Sequence, residues 1–137
     1  MRLSKVLSAA LLLTSLGALG QVDAERAAEQ ADGAWLILVD HGKYVDSWKE
    51  ASTLFRSALT EGAWAKQIGQ VRGPLGDVAS RKLLTATYSK TLPGAPDGEY
   101  VVAQFQTEFA HKKSAVETVV SAREKDESWR MAGYFIR

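Results

Sequence analysis

The pattern of apolar and polar positions changes once along this chain, near Gly73-Pro74, from a period of three to four residues to a period of two. Before that point Ala27, Ala31, Trp35, Leu38 and Val39 form one stripe, which predicts a helix that Gly42 can stop. Tyr44, Trp48, Ala51, Phe55 and Leu59 resume the period and predict a second helix, with Asp46 or Ser47 placed to cap it by accepting a backbone hydrogen bond. A third, short helix is expected after its cap Thr60, with Trp64 and Ile68 on the buried side and Gly69 to Gly76 unwinding it.

Beyond the change the chain reads as strands. Arg81 to Tyr88 alternates moderately, and the stretch from Leu92 to Gly98 carries two turn signals, Pro93-Gly94 and Pro96-Asp97-Gly98. Tyr100 to Phe109 alternates well: Val101, Ala103, Phe105, Thr107 and Phe109 share one face, and Gln104, Gln106 and Glu108 the other. His111-Lys112 is a short connection to Ala115–Ala122, and the polar turn Lys125 to Ser128 leads to a closing strand, Trp129 to Ile136. In that last strand Met131, Gly133 and Phe135 read as facing the core with Trp129. Short loops favour an antiparallel meander, and helices followed by strands make the chain α+β. The expected architecture is three N-terminal helices packed on a curved antiparallel sheet of about four strands. A sheet curling around the longest helix would form a cone with an open mouth.

The first residues add a compartment. Arg2 and Lys5 precede an apolar run from Val6 to Leu19 and then small residues, the layout of a secretory signal. The run is shorter than the roughly 20 apolar residues a membrane-spanning helix needs. Cleavage after Gly20 or after Ala24 is compatible with the sequence, and Val22-Asp23-Ala24 fits the small-x-small rule with alanine at the cut. The expected organisation is therefore a cleaved signal over 1–24 and one domain over 25–137, with no stable membrane anchor after cleavage.

Removal of the signal changes the charge balance. The chain holds 17 cations and 16 anions. A cut after Ala24 takes two of the former and one of the latter, so the remainder is neutral. Such a surface lacks the electrostatic footprint of a general nucleic-acid binder. The absence of cysteine makes the domain indifferent to redox conditions and suits a bacterial periplasm better than a disulfide-stapled secreted scaffold.

The segments Ala34-Trp35-Leu36, Gly42 to Trp48, Leu92 to Val102, Lys113 to Thr118 and Trp129 to Arg137 resemble, in the same order, blocks of the bacterial DUF4019 family of uncharacterised exported proteins. The resemblance implies an NTF2-like, cystatin-like cone. It carries no established activity and so transfers no catalytic residue.

Several chemistries lack their residues. The only histidines, His41 and His111, are far apart in the chain, and without cysteine no structural zinc set forms. No Gly-x-Ser-x-Gly elbow is present. Gly69, Gly73 and Gly76 match neither a dinucleotide nor a phosphate loop, and Pro74 removes a backbone donor there. No cofactor is expected. Trp35, Trp48 and Trp64 fall on helical stripes and read as core, with each indole N–H bonded locally.

What remains are polar residues inside strands: Tyr88, Gln104, Gln106, Glu117, Arg130 and Tyr134. On a concave face they would line a ligand pocket; on the other face they are an ordinary solvated surface. Alternation alone leaves open which face is concave. The favoured reading is a non-catalytic periplasmic domain that binds a small molecule or a protein partner. The alternative is a small pocket enzyme, an isomerase or hydrolase, using Glu117 with Tyr134 or Tyr88 as acid and base. A homodimer through the sheet is compatible with either.

Overall fold

The computed structural model describes residues 9–137. Arg2, Lys5 and the start of the apolar run lie outside the described residues. Helix α1 (Ala9–Asp40) runs without a break from that run into the first predicted helix: no proline separates them, and Gly17 and Gly20 are carried within the helix. Gly17 to Asp23 are exposed, and packing begins at Ala24 and Glu25. From there Ala28, Asp32, Trp35, Leu36 and Val39 are buried, a stripe rotated from the predicted one that takes a carboxylate, Asp32, inside. Gly42, at φ 72°, ends the turn after α1.

Four α-helices, rather than three, are present among the described residues. The predicted second helix is two: α2 (Tyr44–Lys49) and α3 (Thr53–Ala58). Ser52 breaks it. Its hydroxyl accepts the Phe55 N–H at 3.1 Å as the cap of α3, and its own N–H donates to Met131 O at 2.8 Å. Neither Asp46 nor Ser47 caps α2, whose N-cap is Lys43. Ser47 is instead a buried hub: it donates to the Tyr44 carbonyl at 2.6 Å, its hydroxyl accepts the Trp64 indole at 2.9 Å, and its carbonyl accepts the Trp35 indole at 3.0 Å. Trp48 donates to Leu59 O at 2.7 Å, so all three helical indoles bond locally. Thr60 caps α4 (Glu61–Arg72) as expected, and a short 3-10 turn, Gly73–Leu75, delivers the chain to the sheet.

Strands β1 (Val78–Ser89), β2 (Tyr100–Phe109), β3 (Lys112–Arg123) and β4 (Trp129–Ile136) form one antiparallel meander in sequence order. Each ladder contains a bulge or register shift, the device that curves a sheet. Helix α1 touches all four strands. The inner face presents Ala103, Phe105, Val119 and Met131 to Trp35, Leu36, Val39, Trp64 and Ile68. One expectation fails in β4. Glycine and Phe135 do not follow Met131 inward, because the shift between Val120 and Ser121 inserts Ala132 and inverts the alternation. Tyr134 therefore enters the core, its ring 5.1 Å from that of Trp35, while Phe135 is 62% exposed.

Candidate functional site

Alternation along β3 places Ala115, Glu117, Val119 and Ser121 on the covered face, so Glu117 is a fully buried carboxylate. Such a group must be paired or it neutralises. Arg81 of β1 grips it side-on, with Nε to Oε1 at 2.7 Å and Nη2 to Oε2 at 3.3 Å. Thr107, the one polar residue on the inner face of β2, donates to Oε1 at 2.5 Å, and the Tyr134 hydroxyl of β4 donates to Oε2. The other side of Arg81 forks onto Asp40, at the end of α1, at 2.8 and 2.9 Å. Arg72, in the last turn of α4, donates to the same carboxylate at 2.8 Å and lies 3.4 Å from the Tyr134 hydroxyl. Its guanidinium also stacks on Phe109, 4.9 Å from the ring centre.

Two cations and two anions thus form a neutral chain, Arg72–Asp40–Arg81–Glu117, drawing on two helices and, with Thr107 and Tyr134, all four strands. The electrostatics agree with the geometry. Burial pushes the Asp40 carboxyl up, but hydrogen bonds from Arg81 and Arg72 outweigh it and hold the group below its ordinary value. Burial also penalises the Arg81 charge, yet its bonds to Asp40 and Glu117 raise its pKa overall. Burial, then the Glu117 charge, drives the Tyr134 phenol far above its ordinary value, so it stays a neutral donor. The cluster can clamp helices to sheet, but the Tyr134 hydroxyl and both Glu117 oxygens are already engaged with one another and with Arg81 and Thr107, and Glu117 is closed off from solvent, so neither is free to meet a substrate.

A second buried carboxylate lies earlier on α1. Asp32 is 1% exposed and accepts from Ser121 of β3, while its Oδ2 has no partner among the described residues. Burial raises its pKa to about 7; the Ser121 bond opposes that rise and the Glu29 charge adds to it.

Of the six strand residues singled out in the sequence, only Glu117 and Tyr134 meet. Gln104 and Gln106 lie on the uncovered outer face, where Thr85 and the Ala115 carbonyl are their neighbours. Arg130 stands at the hairpin end of β4, bonded to Ser128 at 3.3 Å and to Glu50 at 3.4 Å. Tyr88 is at the far edge, where its hydroxyl meets Glu99 at 3.0 Å. Reading the chain residue by residue missed Asp32, Asp40, Arg72, Arg81 and Thr107. The signal was present for three of them: Asp32 sits on the Ala28–Trp35–Leu36 stripe, Arg72 four residues after Ile68, and Thr107 on the apolar face of β2.

A groove of about 470 Å³ runs between α1 and the start of β4. Trp35, Leu38, Trp129 and Met131 give it apolar walls, and Arg130 and Glu50 stand on its rim. Beyond that rim Lys49, Arg56 and Lys125 surround a charged depression.

Among proteins of curated function, none matches this chain. Residues 31–134 match the family described as protein of unknown function (DUF4019), and the segment contains β1 to β3, most of β4 and the complete buried ion cluster, so the chain belongs to the DUF4019 family.

Proposed function

We propose that this protein is a non-catalytic periplasmic domain that takes a small molecule, or the side chains of a protein partner, in the groove between α1 and β4. The observation that carries this reading is the groove itself. Its size suits a small ligand, the half-buried Trp129 offers apolar contact over a floor where Trp35 and Met131 only edge into the groove, and Arg130 supplies a cation at the mouth for an acidic end. The test is a thermal-shift screen against envelope metabolites, with a periplasmic pull-down beside it. A hit should raise the melting temperature of the parent and lose its effect in Trp129→Ala. Neither a ligand nor a partner in both assays would overturn the proposal.

The Glu117–Tyr134 contact favours the pocket-enzyme alternative, since that reading needs the two residues together. Against it stand the full burial of Glu117 and the donors already on its oxygens. Loss of a measured turnover in Glu117→Gln, with the fold intact, would revive it.

Export belongs to the same proposal. The exposure of Gly17 to Asp23, followed by Glu25 accepting the Tyr88 N–H at 3.1 Å, supports a cut after Ala24 rather than Gly20. No helix among the described residues is long and apolar enough to cross a membrane. Mass spectrometry of osmotic-shock fluid should find a chain starting at Glu25; an intact chain retained in the cytoplasm would contradict this. The curved sheet wrapped on α1 also supports an NTF2-like cone as the fold family.

A further inference from the structure

Strand β4 is an edge strand, and the ladder it forms with β3 shows where its spare hydrogen-bonding groups point. Arg137 and Val116 exchange both backbone bonds, at 2.9 and 3.1 Å. In an antiparallel ladder such pairs alternate with pairs that bond outward. Phe135 and Gly133, opposite Thr118 and Val120, therefore bond towards β3, and the N–H and C=O of Tyr134 and Ile136 point away from the sheet. The outward carbonyl of Met131 is already taken by Ser52 N. No described residue takes the four groups of Tyr134 and Ile136.

Exposed edges are normally blunted by charge, proline or a covering segment. The opposite edge follows the rule: on β1, Glu25 accepts the Tyr88 N–H, and Arg81 and Lys82 lie in the strand. The second half of β4 does not. Gly133, Tyr134, Phe135 and Ile136 carry no charge, Phe135 is 62% exposed, and Val71 of α4 is 49% exposed across an uncharged groove of about 280 Å³ that lies along this edge.

We propose that this edge pairs with the same edge of a second copy of the chain, joining two four-stranded sheets into one. The fit is self-complementary. A two-fold axis through Phe135 sets Tyr134 opposite Ile136 of the partner subunit and Ile136 opposite the partner's Tyr134. Four backbone bonds then satisfy all four outward groups of each copy, as an isologous contact requires. The two Phe135 rings meet on the outer face, and Arg137 falls opposite a glycine, which leaves it room. The contact also places the two Glu117 clusters on either side of the junction, each linked to it through Tyr134.

Because the chain has no cysteine, a single introduced one is a clean probe. In this register the two Phe135 Cα atoms form a non-hydrogen-bonded pair, about 4.5 Å apart and within disulfide reach. After expression of the full chain, Phe135→Cys should form a disulfide-linked dimer under mild oxidation, while Leu84→Cys, on the opposite edge strand, should not. By light scattering the parent should be a dimer. Ile136→Pro removes an outward N–H and leaves the bonds to β3, so it should weaken the dimer about tenfold or more, whereas Ile136→Ala, which loses the side chain but keeps that N–H, should still dimerise, and circular dichroism should show the monomer fold retained in both. A parent that stays monomeric at its highest soluble concentration overturns the proposal. So does a dimer unaffected by Ile136→Pro, or a Phe135→Cys protein that cross-links no faster than Leu84→Cys.

Discussion

Asp32 and Asp40 lie on the same helix, two turns apart, and the same sheet covers both, yet they end in opposite states. Asp40 sits in the last turn of α1, where the helix dipole disfavours an anion, and it is nonetheless held ionised by two arginines. Asp32 lies in mid-helix, receives one hydroxyl hydrogen bond, feels Glu29 one turn away, and is pushed up to about 7. Burial is common to both. What separates them is donor supply, since an interior carboxylate keeps its charge only where enough positive or N–H groups converge on it.

Removing the shared arginine should break the comparison most severely. Arg81→Met leaves Glu117 buried with two hydroxyl donors and Asp40 with Arg72 alone. Urea unfolding at neutral pH should register a loss of about 3–5 kcal/mol, the usual cost of stranding one partner of a buried pair. A loss below about 1 kcal/mol would mean the cluster is effectively solvated and the two aspartates differ for another reason.

Asp32 should show the opposite sign. Its folded pKa lies above the unfolded one, so between about pH 4 and pH 7 the folded state holds a proton that the unfolded state releases. Stability therefore falls as pH rises through that window and levels off above it. Asp32→Asn removes the slope and should gain roughly 2–4 kcal/mol more at pH 8 than at pH 4, relative to the parent. Asp40 behaves conversely: its contribution is present above the ordinary carboxylate range and disappears only as pH falls through its lowered value. Parallel urea titrations of Asp32→Asn and the parent across pH separate the two groups. A pH-independent offset would show that Asp32 is ionised throughout.

The fold was largely legible because its signals are local. The periods of the helical stripes, the caps at Thr60 and Gly42 and the alternation of β2 are each set by residues within a few positions of one another. The split at Ser52 was hidden, since it depends on a bond to Met131, almost eighty residues away, as well as on a cap. The inverted half of β4 was hidden too: a bulge at Ala132 leaves no mark on composition, yet it exchanges Tyr134 for Phe135 at the core. The ion cluster was half visible. Glu117 and Tyr134 were named on strand position, while Asp40, Arg72 and Arg81 come from three separate elements whose meeting depends on how the helices cross the sheet. Asp32 and Thr107 interrupt apolar faces, and such interruptions are the pattern that sequence reading should pursue.

Within the cluster, Tyr134→Phe asks how much of the Glu117 environment comes from hydroxyls rather than guanidinium. The ring remains and can still pack on Trp35, but one donor to a buried carboxylate is lost, and Arg72 loses a neighbour. A decrease of about 1–3 kcal/mol is expected by urea unfolding, smaller than for Arg81→Met because no full charge is stranded.

The smallest effect is expected where the same residue types meet in water. Arg130 and Glu50 stand 3.4 Å apart, much like a buried pair on paper, but their side chains are 31% and 63% exposed. Solvent screens the attraction, and two long side chains lose freedom in forming it, so Glu50→Ala should cost no more than about 0.5 kcal/mol at low salt and less at high salt. A loss approaching that of Tyr134→Phe would show that the groove rim is shielded from water in a way its exposure does not suggest.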